Sequence, residues 1–316
     1  MSDALAPWQQ RAYDHAVATL ADGRLGHALL VCGPAQLGKR KVAERLAAHL
    51  LGAHEPRAAH LIAAGTHPDF HVVTREMNKE GTKLRTEIVI EQIRALSEKL
   101  SLTPQYGSAQ VAIVDPADAI NVSAANALLK TLEEPQPGRY LWLLASNPSR
   151  LPATIRSRCQ RLEFRLPPRD EALAWLRTQG HAEQAATAAL DAARGHPGLA
   201  DGWLRDGGMA LRKDVAADLA KLARGEAAPI ETAQRWVADD DAPLRLHHAA
   251  DLALAEAAGL TDPARIRKLA TWFDAANRTR DLLRTTVRAD LAVAELLLAW
   301  RGAEARGAGT GPRGHR

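Results

Sequence analysis

Over the first 165 residues, short unbroken apolar runs alternate with longer stretches in which apolar side chains recur every three or four positions. The runs are His27–Cys32, Phe70–Val73, Val111–Val114, Leu141–Ala145 and Leu162–Phe164. Each is too short for a helix, and the absence of polar interruption suits a strand buried on both faces. Helical spacing occupies residues 8–22 through Trp8, Ala12, Val17 and Leu20, and residues 39–51 through Val42, Leu46 and Leu50. It returns at Ile88–Leu100 and at Ser123–Leu132, where Ala124, Ala125, Leu128, Leu129 and Leu132 share one face. Asn121 or Ser123 can cap this last helix, and Pro135 ends it. Strands alternating with helices predict a parallel α/β sheet with flanking helices. The charged stretch Arg75–Thr86 predicts a surface loop.

Pro167-Pro168 marks a change. Beyond it Ala and Leu dominate and no strand pattern returns. Residues 1–166 therefore read as an α/β domain and 167–207 as a small helical unit. Residues 208–302 read as an all-helical domain with breaks at Pro229, Pro243 and Pro263, and 303–316 as a disordered basic tail. The formal charge of +4 invites a nucleic-acid partner, but residues 301–316 alone contribute +3 and leave the first 300 residues near neutral. Residues 139–170 are an exception, with seven Arg against Glu163 and Asp170, a density that can face phosphates. Cys32 and Cys159 lie too far apart to suggest a disulfide framework. The absence of a long apolar run and of a signal-like segment in Met1–Pro7 points to a cytoplasmic protein with no membrane partner.

Candidate chemistry begins at Gly33–Arg40, Gly-Pro-Ala-Gln-Leu-Gly-Lys-Arg, between the first strand and the second helix. A phosphate loop follows G-x-x-x-x-G-K-[S/T], so Gly33, Gly38 and Lys39 fit and Arg40 does not. The missing hydroxyl normally ligates Mg²⁺, although Arg40 could still pair with phosphate. Asp115, ending an apolar strand, suits the second nucleotide element; the next residue is Pro116, which offers no base to polarise water. Ser146 and Asn147 follow a strand, where ligands bind in such sheets. Ser157, Arg158 and Cys159 precede the last strand; from composition alone Arg158 is a surface ion-pair residue.

Taken together, Arg24–Pro34, Gly65-Thr-His-Pro-Asp69, Ile90-Glu-Gln-Ile-Arg94, Asn126–Pro135 and Ile155–Cys159 resemble the bacterial DNA polymerase III clamp-loader family, and within it the delta-prime subunits. The resemblance covers residues 24–165; the helical remainder is similar only in pattern. It implies an AAA+ module, a small helical lid and an all-α C-terminal collar for oligomerisation. It further implies a hetero-pentamer with delta and three gamma or tau subunits, which loads the sliding clamp onto primer-template DNA as part of the polymerase holoenzyme. In that family this subunit does not hydrolyse ATP, and its Ser-Arg-Cys motif lends an arginine, here Arg158 with Ser157 and Cys159 as motif, to a neighbour's ATP site. Active relatives carry a sensing Arg in the lid where Gly198 stands here. The degenerate site of Gly33, Gly38, Lys39, Arg40, Asp115 and Asn147 thus requires no cofactor, with weak ATP or ADP binding left open.

Many members of that family also hold zinc through four cysteines. Here the last three expected positions fall near Ala53, Pro56 and Ala59, so no metal and no zinc is expected. His49, His54, His60 and His67 lack a compact ligand spacing and read as exposed residues on a helix and loop. Two rival readings remain: a catalytically active gamma-like ATPase, and a DNA-binding accessory subunit using the Arg-rich segment.

Overall fold

The computed structural model describes residues 4–52, 56–78, 80–283 and 285–305. The chain divides into two compact units, residues 1–183 with 193–199, and residues 184–192 with 200–316. The first unit runs α1 (Pro7–Ala21), β1 (Ala28–Cys32), α2 (Lys39–Leu50), α3 (Pro56–Ala63), β2 (Phe70–Val73), α4 (Ile90–Ser101) and β3 (Gln110–Val114). It continues through α5 (Val122–Glu133), β4 (Arg139–Ala145), α6 (Ala153–Arg156), β5 (Gln160–Glu163) and α7 (Arg169–Thr178).

The five strands form one parallel sheet in the order β2-β3-β4-β1-β5. Alternate residues serve opposite faces. Leu30, Ala112, Val114, Leu141 and Leu143 pack with Ile93, Leu96, Leu128 and Ile155. Leu29, Val31, Val111, Ile113, Trp142 and Leu144 pack on the other face with Ala16, Val42 and Leu46. Both faces are covered, which is why the strands read as unbroken apolar runs rather than alternating ones. A fully buried Leu or Ile here contributes ~1.5–3 kcal/mol relative to exposure.

Several sequence expectations shift in detail. The fourth helix starts at Ile90, because Ile88 instead pairs with Ile120 as a parallel bridge. The Arg75–Thr86 stretch contains an antiparallel bridge between Met77 and Leu84. Asn121, not Ser123, caps α5, its Oδ1 accepting from the Ala124 N–H at 2.9 Å. His67, expected to be exposed, is a correction: it is 2% exposed, its ring lies tilted against Tyr106, and its Nδ1 accepts from the Asp69 N–H. Its ring is buried because the chain turns there to enter β2. His49 and His60 are exposed. Ala53 and His54 lie outside the described residues. Among the described residues no three His, Cys, Asp or Glu side chains are grouped to hold a metal ion.

The second unit contains most of α8 (Glu183–Ala192) and the part of α9 (Pro197–Arg205) from Ala200 onward. It continues with α10 (Gly208–Arg224), α11 (Pro229–Trp236), α12 (Ala242–Ala258), α13 (Pro263–Leu282) and α14 (Ala289–Ala305). Pro229, Pro243 and Pro263 start helices rather than interrupting them, since a first-turn N–H has no intrahelical acceptor to lose. Tryptophans supply large buried surfaces, and three of them place their indole N–H on an acceptor. Trp236 donates to the buried Asp218, Trp272 to the Leu296 carbonyl and Trp300 to the Leu219 carbonyl. The last helix reaches Ala305, three residues into the expected tail; residues 306–316 lie outside the described residues. Among the described residues no helix is long and apolar enough to cross a membrane.

The Asp69 carboxylate is fully buried and accepts from the Gln105 and Tyr106 backbone N–H groups, tying the α4–β3 loop to the start of β2. Asp69→Ala orphans both donors and is expected to cost ~2–4 kcal/mol of stability, measured as a lowered urea midpoint with unchanged slope.

Candidate nucleotide site and arginine turn

The glycine loop lies at the C-terminal end of β1, the position at which parallel sheets bind ligands. Gly33 is required by a close approach: a Cβ there would lie 2.1 Å from the Phe164 carbonyl oxygen, and its φ is +134°. The loop is gripped through its carbonyls. Lys39 Nζ donates to Gly33 O at 2.8 Å and Pro34 O at 2.7 Å, with Ser146 Oγ at 3.4 Å. Trp8 Nε1 and Gln9 Nε2, from the start of α1, both donate to Leu37 O. The lysine of the glycine loop is thus turned onto the loop itself. Burial pushes its pKa down, opposed by Asp115 and Asp118.

Segment 193–199 closes on the same loop. His196 is buried, its Nδ1 accepts from the Leu199 N–H, and its ring reaches the Ala35 backbone. Burial holds the imidazole below its ordinary pKa, so it is neutral at pH 7. A Cβ on Gly198 would lie 2.0 Å from Gln36 O. No other residue fits there without displacing the loop, so Gly198 has a structural reason beyond the absent arginine.

Arg40 lies where a hydroxyl and Mg²⁺ meet in an active site. Its guanidinium pairs with Glu44, one helical turn on, and with Asp115 Oδ2 at 3.3 Å. A covalently fixed cation therefore neutralises the carboxylate that would hold the metal. Asp118 accepts from the Asn147 N–H at 2.8 Å, and Ser149 Oγ donates to Asn147 Oδ1. The Asn147 amide oxygen is thereby turned to its own loop. The structure does bring Gly33, Gly38, Lys39, Arg40, Asp115 and Asn147 to one end of the sheet, as the sequence pattern predicts. A cavity of about 1120 Å³ beside β2 reaches Arg40 and Glu44 but is lined by none of residues 33–38.

Arg158 is elsewhere. It sits in the turn between α6 and the start of β5, and Gly26, just before β1, bonds to Gln160 at that same end. The sheet is parallel, so the end where strands begin is opposite the loop. A strand of five residues separates the two by ~15 Å. Within the motif Ser157 and Arg158 are exposed and Cys159 is buried. Cys159 is core, its thiol pushed up to about 11 by burial, and Ser157 Oγ donates to the Thr154 carbonyl. The seven arginines of 139–170 do not form one patch. Arg139 binds the Leu100 and Leu102 carbonyls at strand starts, whereas Arg165 pairs with Glu163 at the opposite end.

Comparison with known proteins shows the family of the chain. A family model described as DNA polymerase III, delta subunit matches residues 8–168. DNA polymerase III subunit delta′ of Pseudomonas aeruginosa is 36% identical over 242 residues, covering 73% of this chain and 70% of that protein. The Escherichia coli K12 subunit of the same name is 32% identical over 257 residues, covering 78% and 74%. The crystal structure of a DNA polymerase III gamma subunit-related protein from Thermotoga maritima covers 91% of this chain and 98% of its own, with a TM-score of 0.50 and 17% identity, a likeness of fold. The parallel sheet with flanking helices and the helical C-terminal region share the fold of that structure, and the chain belongs to the DNA polymerase III delta-prime subunit family.

Proposed function

We propose that this chain is the non-hydrolysing subunit of the polymerase III clamp loader and that it lends Arg158 to the ATP site of an adjacent gamma or tau subunit. The observation that carries the proposal is the placement of Arg158 at the strand-start end of a parallel sheet whose phosphate loop lies at the other end. An arginine there has no route to its own loop, so any phosphate it meets belongs to a neighbour. A planar guanidinium can fork onto two oxygens of a γ-phosphate and stabilise the charge that spreads over them in the transition state.

The state of the chain's own loop supports a non-hydrolysing role. Asp115 is paired with Arg40, Lys39 is spent on loop carbonyls, and Pro116 follows where a base is needed. Sliding clamp and primed DNA would be met through the assembled complex; the dispersal of the arginines in 139–170 disfavours a DNA groove on this chain alone. Sharing one site between two subunits couples nucleotide binding to assembly geometry.

Two outcomes are expected. In a complex reconstituted with gamma or tau and delta, Arg158→Ala lowers turnover at the adjoining ATP site by ~10³-fold or more, and clamp loading falls with it. Clamp loading at the wild-type rate by that complex would sink the proposal. Calorimetric titration of the isolated chain with ATP gives the same weak or undetectable heat in Mg²⁺ as in EDTA, because Arg40 already neutralises Asp115. Tightening of about tenfold or more by Mg²⁺ would show that Arg40 yields its place.

A further inference from the structure

Arg158 is not a free surface side chain. Its NH2 group pairs with Glu133 Oε1 at 2.7 Å, and its NH1 group donates to the Thr154 carbonyl at 2.9 Å. The two acceptors come from different elements: Glu133 is the last residue of α5, and Thr154 lies in α6. Both supports are themselves fixed. Leu128 and Leu132 of α5 are in the core, and the Leu132 carbonyl meets the His27 ring at 3.1 Å. The short α6 is bolted down by the fully buried Ile155. The guanidinium is therefore held by two acceptors on different elements, while the side chain stays 37% exposed. These bonds use two of its five N–H donors.

We infer that Glu133 is a positioning residue, holding the Arg158 fork presented before a neighbour's triphosphate arrives. An exposed ion pair of this kind contributes little to folding stability. Its consequence lies elsewhere. A free arginine must give up its rotamer freedom each time it meets a phosphate, and one already held in the productive plane has lost that freedom beforehand. The cost avoided falls on the chemical step, where the orientation of the guanidinium against the transferring group is what matters. Binding of ATP by the neighbour, governed by its own loop, is left unchanged. This inference rests on the assignment of Arg158 proposed above.

The test uses the full complex with gamma or tau and delta, and steady-state ATP turnover in the presence of clamp and primed DNA. Glu133→Ala is expected to lower kcat by about three- to tenfold, the scale of one pre-organised long side chain, with KM for ATP unchanged. Glu133→Gln, whose amide oxygen still accepts from NH2, recovers most of the loss. The double variant Glu133→Ala/Arg158→Ala is no slower than Arg158→Ala alone, because the carboxylate acts only through the arginine. Wild-type kcat for Glu133→Ala beside a slowed Arg158→Ala overturns the role of Glu133 and leaves that of Arg158 standing. A further loss from Glu133→Ala in the Arg158→Ala background also overturns it, since the carboxylate would then act on structure. An unaffected Arg158→Ala overturns the assignment of the arginine itself.

Discussion

The Leu37 carbonyl is the small constraint on which the nucleotide end of the molecule depends. Two side chains at the start of α1, Trp8 and Gln9, converge on it. Trp8 also meets Trp175 of α7 edge-on, and Arg11 forks onto Glu171 of the same helix. The first helix therefore ties the glycine loop to the segment after the sheet. With Lys39 on Gly33 and Pro34, His196 against Ala35 and Gly198 against Gln36, the loop is held from three directions. A loop fixed this way is a structural joint. A phosphate in the loop would compete with the Gly33 and Pro34 carbonyls for the Lys39 ammonium.

The parallel sheet then divides labour by its polarity. Strand ends carry the loop, Asp115 and Asn147; strand starts carry Arg158, Arg139 and the end of α5. The two ends are kept apart by the buried rows of Leu, Ile and Val. At the loop end Arg40 pairs with Asp115, so that carboxylate has a cation from its own chain.

Particular residues show why some of this was legible and some was not. The strands could be read from unbroken apolar runs because burial on both faces forbids polar interruption, a local rule. The glycine loop could be read because strand, loop and helix are contiguous in the chain. Arg158 was an ordinary surface arginine by composition, and only the family resemblance singled it out; its partner Glu133 is twenty-five positions away, inside a segment that carried the resemblance but gave no sign of this pairing. The arginine-rich 139–170 segment looked like one patch along the chain, yet successive turns of a parallel sheet alternate between opposite ends. His67 looked exposed because a polar residue between Gly65 and Asp69 suggests a loop, while the turn into β2 buries it.

By itself, the sequence determined the class of the fold, the place of the phosphate loop and the absence of its hydroxyl and base, since each depends on residue types in short contiguous spacing. Only the tertiary structure decided that Arg40 takes up Asp115, that Gly198 is required by the Gln36 carbonyl, and that Glu133 and Thr154 bond to Arg158. Those are contacts between segments tens of residues apart, and packing of the sheet and its helices is what brings them within bonding distance.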